Sequence, residues 1–315
     1  MPAAKPDAAF MSAWFQSVLA APARVGAVAS ATFTQLARMK IFWVPAVFAV
    51  LFLLLQGVRF HDSLGPDVRG VAELTLIKNT AVGGIRLFGL IFAVAATALL
   101  IPRDAEDRIL YTILCKPVPR WNYLLGKALG VLMLLGIVLL GMDLLMVGIL
   151  EARTATVVAE QTQYLLAGGY AESDLPELLA AVREQGATWN LQVAMGVMFL
   201  EWCVLTSLTL LFSCFTSGTI VSMIFAFGAY FIGSFQAQLF RALAAGAEGV
   251  SVATERAADF FALLVPNFQV FGVFDAGVNG EPIPLALAGS LSLVAVAYFA
   301  FHLALASWIF AKKEF

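Results

Sequence analysis

Residues 122–150 read NYLLGKALGVLMLLGIVLLGMDLLMVGIL, and the only charged side chains among these 29 positions are Lys127 and Asp143. About 20 apolar residues in a helix cross a bilayer. This run is longer than that, and it lacks the polar stripe that a helix at the surface of a soluble domain needs. Five further stretches are of the same kind, near 41–57, 86–102, 191–214, 218–240 and 285–311. The first two are short as apolar cores, but helix can extend into their polar flanks. The whole composition agrees: 61% of the 315 residues are hydrophobic and 13% are charged, against about half and a quarter in soluble domains. Those values exclude a soluble fold, a disordered chain and a collagen-like chain. The net charge of −2 argues against a nucleic-acid partner. The expected fold is therefore all-α and polytopic, with six transmembrane helices over residues 41–311 and membrane lipid as the main solvent.

Six crossings place both termini on one side, and Lys and Arg decide which. With the N-terminus in the cytoplasm, the inner segments hold Lys5, Arg24, Arg38, Lys40, Arg103, Arg108, Lys116, Arg120, Lys127, Lys312 and Lys313. The outer segments hold Arg59, Arg69, Lys78, Arg86, Arg153, Arg183, Arg241 and Arg256. The inner loops are also the short basic ones, and the acids gather outside. The expectation is a cytoplasmic (cell inner) membrane protein with both termini inside. The first ten residues carry Lys5 and Asp7 and no apolar core, so no cleaved signal peptide is expected.

Residues 1–40 form the cytoplasmic N-terminus. Within them, 10–40 mix Phe10, Trp14, Phe15, Phe33 and Leu36 with small residues, which suits helix lying in the inner interface before the first crossing. The outer segments are 58–85, 151–190 and 241–284, and 312–315 form a cytoplasmic tail. In the second outer segment, Asp174-Leu-Pro-Glu177 has the form of a helix start, with Pro176 in the first turn. The third is apolar enough to dip into the membrane surface.

The loop 103–121 carries the most information. Pro102 marks the expected end of the second crossing. Asp104 is placed to cap a new helix, with Glu106 and Asp107 in its first turn complementing the helix dipole. Ile109, Leu110, Ile113 and Leu114 then share one face at helical spacing. Lys116, Pro117 and Pro119 end that helix, because proline lacks a donor and disfavours helix before it. Arg120 opens the third crossing, with Trp121 and Tyr123 at headgroup depth. The expectation is a short amphipathic helix clamped between two crossings, able to pass force from a soluble partner.

This loop resembles that of ABC-2-type permeases, the membrane subunits of ABC transporters. Such proteins show an acidic residue, a short helix, a Pro-containing turn ending in Arg and an aromatic residue, then Leu-Leu-Gly-Lys. Here these are Glu106, then Lys116-Pro117-Val118-Pro119-Arg120-Trp121, then Leu124-Leu125-Gly126-Lys127. Pro119 stands where the family usually has serine or threonine. Arg38-Met-Lys40, Leu264-Val-Pro-Asn267-Phe268 and Phe310-Ala-Lys-Lys-Glu-Phe315 are similar to further family segments. The resemblance implies an interfacial elbow helix before the first crossing, a cytoplasmic coupling helix, pairing with a second permease as homodimer or heterodimer, and docking on a cytoplasmic ABC ATPase. It implies ATPase-coupling roles for Asp104, Glu106, Asp107, Arg108, Lys116, Pro117 and Arg120, and export as the direction. The chain has no G-x-x-x-x-G-K-[ST], so ATP is expected to bind a partner subunit, with no enzymatic activity and no cofactor in this chain.

Glu201 and Asp143 lie within crossings, where a carboxylate must face the bundle interior, pair or protonate. Each reads as a contact along a route or a helix-positioning bond; Asp143 also reads as a residue near a helix end reaching the headgroups. His61 and His302 read as structural histidines. Cys115, Cys203 and Cys214 read as apolar thiols, and no residues have the spacing of a metal site. Gly126-x-x-x-Gly130 offers close helix packing. The rival readings are a stand-alone secondary transporter, which would show repeat symmetry or several intramembrane ionisable groups, a membrane enzyme, and a membrane-anchored scaffold without transport activity.

Overall fold

A computed structural model describes residues 21–40, 43–56, 70–107, 119–216, 218–245 and 265–312. The described residues hold helices α1 (Ala21–Arg38), α2 (Trp43–Gln56), α3 (Val71–Glu106), α4 (Arg120–Ala167), α5 (Leu175–Leu178), α6 (Ala180–Glu184), α7 (Trp189–Phe215), α8 (Thr219–Ala245), α9 (Phe274–Asn279) and α10 (Leu285–Lys312), and a 3₁₀ turn at Phe268–Phe271. No strand occurs among them. The protein is all-helical.

Five segments are long and apolar enough to cross a membrane: Val71–Glu106, Arg120–Ala167, Leu175–Phe215, Thr219–Gln236 and Leu285–Lys312. Among the described residues the run 41–57 holds α2, 14 residues or about 21 Å of helix, less than a hydrocarbon core of about 30 Å. The six expected crossings are thus five long helices and one short one. The chain is a multi-pass membrane protein.

Both flanking helices outrun their apolar runs. α3 starts at Val71, so the outer segment assigned to 58–85 is helical from there on. α4 has 48 residues, about 72 Å, and carries helix through the start of the segment 151–190. The helix start at Asp174 is found as expected, with Pro176 in the first turn of α5.

Pro102 does not end α3; it lies inside the helix. Proline has no N–H, so the carbonyl four residues earlier, that of Ala98, loses its helical donor. Ser213 Oγ on α7 donates to that carbonyl at 3.3 Å. A neighbouring hydroxyl replaces the missing amide, which is how membrane helices tolerate proline.

α7 is the central helix, touching α3, α4, α8, α9 and α10. Its bulk needs room: the Trp202 ring lies on Gly89 of α3, where a Cβ would overlap the indole. On α1, Val25, Ala29, Thr32 and Leu36 form a buried stripe at the spacing of one helix face. That stripe lies on the start of α4. A Cβ at Gly126 would come within 2.6 Å of Val28 Cβ, and one at Gly130 within 2.6 Å of Thr32 Cβ. The Gly126-x-x-x-Gly130 spacing is therefore a docking groove for α1. Phe52 of α2 similarly fills the space over Gly84, and its ring meets Phe88 edge-on at 6.0 Å. Met133, Ile137, Leu140 and Leu144 on α4, and many apolar side chains of α2, α8 and α10, point outward. That distribution suits lipid as solvent.

Candidate functional site

The residues flanking the 103–121 loop form one connected site. Asp104 was expected to cap a new helix and to meet a soluble partner. Instead it is fully buried in the last turns of α3. Its Oδ2 accepts from Lys127 Nζ at 2.6 Å and from the Tyr123 hydroxyl at 2.5 Å, both on α4. The helix does not restart at Asp104 because the Ser213 hydroxyl keeps α3 intact past Pro102. Asp104 Oδ1 is buried and has no partner among the described residues.

Lys127 also donates to Gln35 Oε1 of α1 at 3.4 Å. Tyr123 stacks on Phe310 of α10, 5.9 Å between ring centroids. Arg120 Nη1 donates to the carbonyls of Phe310 and Ala311 at 2.8 and 2.6 Å. It thereby takes up carbonyls that the last turn of a helix leaves without amide partners. Arg103 forms an exposed pair with Asp107 at 3.4 Å and reaches Met39 Sδ at 3.1 Å. α1, α3, α4 and α10 are thus tied together at one end of the bundle. Glu106 and Asp107 are exposed there. They close α3 rather than open the next helix, so they face an unfavourable dipole end, which Arg103 offsets. Arg108, Lys116, Pro117 and the rest of the expected coupling helix lie outside the described residues.

A second buried ion pair joins the same two helices, α3 and α4, at the other end: Arg153 Nη2 donates to Glu73 Oε1. Glu73 and Asp104 are 31 residues apart on α3, about 46 Å along its axis. Lys127 and Arg153 are 26 residues apart on α4, about 39 Å. Those spans match a bilayer with its headgroups, about 40–45 Å. The two pairs bracket the apolar slab. Near the Glu73 end, Lys78 Nζ donates to Gln185 Oε1 at 2.6 Å, fixing the turn before α7 to α3.

Glu201 lies between these levels. Arg86 donates to it through Nε at 3.1 Å and Nη2 at 2.8 Å, and the Tyr230 hydroxyl adds a bond at 3.1 Å. The sequence places Arg86 on an outer flank; the structure places it well inside α3. The bidentate pair joins α3 to α7, and Tyr230 brings in α8. Asp143 is largely buried and accepts from Gln192 Nε2 of α7 at 3.2 Å. His302 is buried and bonded to Ser207 at 2.9 Å, a structural histidine as expected. His61 and Cys115 lie outside the described residues. Cys203 is half-buried and Cys214 is buried. Among the described residues, no group of His, Cys, Asp or Glu is placed to hold a metal ion.

Glu73, Lys78, Arg86 and Arg153 were not singled out from the sequence. Their partners are 80 or more residues away, so no local pattern announces them. The one available signal was spacing: on two antiparallel helices, an acid and a base stand at similar distances from Asp104 and Lys127.

The fold and site define an all-helical, multi-pass membrane protein with a charge-locked helix core. No family model and no curated protein matches the chain.

Proposed function

We propose that the chain is the permease subunit of an ABC-2-type ABC transporter, coupling ATP hydrolysis in a separate cytoplasmic subunit to export across the membrane. In this reading α1 is the elbow helix, α2 is the first of six crossings, both termini are cytoplasmic, and residues 103–121 are the coupling loop. Two permeases pair, and each docks on its ATPase. The observation that supports the reading is the 116–127 sequence, whose described part, 119–127, ends in the Asp104–Lys127 lock. A push on that loop reaches α1, α3, α4 and α10 together, which suits a rigid-body switch between two states. Glu106 and Asp107 supply exposed charge for the partner, whereas Asp104, Lys127 and Arg120 hold the frame that receives the motion.

The test is charge reversal at the exposed Glu106 together with Arg108, Glu106→Lys with Arg108→Glu. The variant is expected to lose ATPase co-purification while the detergent-solubilised chain keeps its melting temperature. Retention of both the ATPase and normal transport removes the coupling role.

A second reading, a stand-alone secondary transporter, draws support from the Arg86–Glu201–Tyr230 network at membrane depth, since intramembrane ionisable groups mark ion pathways. The two separate on energy source. Uptake into inside-out vesicles that needs ATP and survives an ionophore supports the permease; uptake that collapses with the ion gradient supports the rival.

A further inference from the structure

We infer that the cavity between α3, α8, the 3₁₀ turn and α9 binds an amphiphile with a zwitterionic head, one ammonium and one anionic oxygen. The cavity holds about 480 Å³, within the usual range of small-molecule sites. Arg86 lines it from α3, Tyr230, Phe231 and Phe235 from α8, and Phe274 and Asp275 from α9.

The charges select the head. Arg86 spends Nε and Nη2 on Glu201 and stacks on the Phe274 ring at 4.5 Å. Its Nη1 donates to none of the described residues. The Arg86 side chain is 24% exposed while that of Glu201 is 2% exposed, so the cation is the half of the pair that meets the cavity. An acceptor oxygen on the ligand would complete it, since a guanidinium is a donor only. Arg86 and Glu201 cancel in charge. Asp275, exposed on the rim, is a second carboxylate near enough to act electrostatically on Arg86, which leaves the three groups with one negative charge in excess. A purely anionic head would face that carboxylate, and a purely cationic one would leave Nη1 without an acceptor. A head with both charges answers both groups with charge-assisted contacts. The aromatic rings suit an ammonium on their faces. Phe231 and Phe235 are more than half exposed on the outward face of α8, so apolar tails can leave the cavity along them into lipid. The mouth lies at the right end for this: α9 rests on the first turns of α7, with Gly277 against Ala194.

The test is native mass spectrometry of the purified chain with three probes: dioctanoyl phosphatidylethanolamine, dioctanoyl phosphatidylglycerol and octylamine. The zwitterion is expected to bind about tenfold tighter than either single-charge probe, one good polar contact's worth. Asp275→Asn, an exposed change that leaves the core intact, should bring phosphatidylethanolamine down to the phosphatidylglycerol level. Ser234→Trp, which fills the cavity from α8, should remove the specific binding. Equal binding of the three probes, or binding indifferent to Ser234→Trp, overturns the inference. Labelled phosphatidylethanolamine in proteoliposomes then separates the two sources: movement with ATP and the partner ATPase marks a cargo, and binding without movement marks a resident lipid; either result keeps the site. The inference stands apart from the permease reading, because binding is measured on this chain alone and ATPase capture is measured separately.

Discussion

Asp104 Oδ2 lies 2.6 Å from Lys127 Nζ, with the two side chains 0% and 6% exposed. The pair closes the gap between α3 and α4 at the mouths of the loop that joins them. Removing one member leaves a buried charge alone, which costs about 3–5 kcal/mol. Replacing both by apolar residues of similar size is often neutral. Asp104→Ala should therefore lower the thermal midpoint sharply in detergent, and Asp104→Leu with Lys127→Met should recover most of the loss. If the double variant is as unstable as the single one, the pair is not the lock described here.

The α1 groove makes a second prediction. Gly126→Val and Gly130→Val place atoms where Val28 and Thr32 already sit. Overpacking of this kind costs about 1–3 kcal/mol; here the cheaper response is release of α1. Trypsin should then cut faster after Arg38 and Lys40 while the long helices stay protected. Gly141→Val is the control, because nothing lies within 4 Å of its added Cβ.

The proline in α3 gives a cleaner cycle. Ser213→Ala removes the donor to the Ala98 carbonyl and should cost about 1 kcal/mol. In a Pro102→Ala background the amide of residue 102 returns to that carbonyl, and Ser213→Ala should cost little. Equal losses in both backgrounds would show that the hydroxyl has nothing to do with the missing amide.

The Arg86–Glu201 pair should behave as structure. Glu201→Gln leaves the guanidinium without its counter-charge and should destabilise by about 3 kcal/mol. Tyr230→Phe removes one hydrogen bond and should cost about 1 kcal/mol. Thermal unfolding in detergent ranks them; a larger loss for Tyr230→Phe contradicts the assignment.

The five long helices could be read from the sequence because apolar runs of about 20 residues leave little alternative in lipid. Their true ends could not. Glu73, Lys78 and Arg153 look like loop residues until Arg153, Gln185 and Glu73 are seen to satisfy them. Pro102 and Asp104 formed a convincing stop and restart by local rules, and a serine 111 residues later overrode them. Glu201 was legible as a buried carboxylate needing a partner, but the partner, 115 residues away, was not. Gly126 and Gly130 were legible as a packing site, though not that α1 fills it. What local pattern missed is in each case a bond between distant segments.

The proposal of a permease stands on the loop between Asp107 and Pro119 being gripped by a separate ATPase. A photo-crosslinking residue at position 108 in native membranes, followed by mass spectrometry of the joined chain, tests it directly. The expected result is a cytoplasmic polypeptide carrying G-x-x-x-x-G-K-[ST]. Crosslinks to lipid or to unrelated proteins alone, in cells where the chain still transports, would contradict the account.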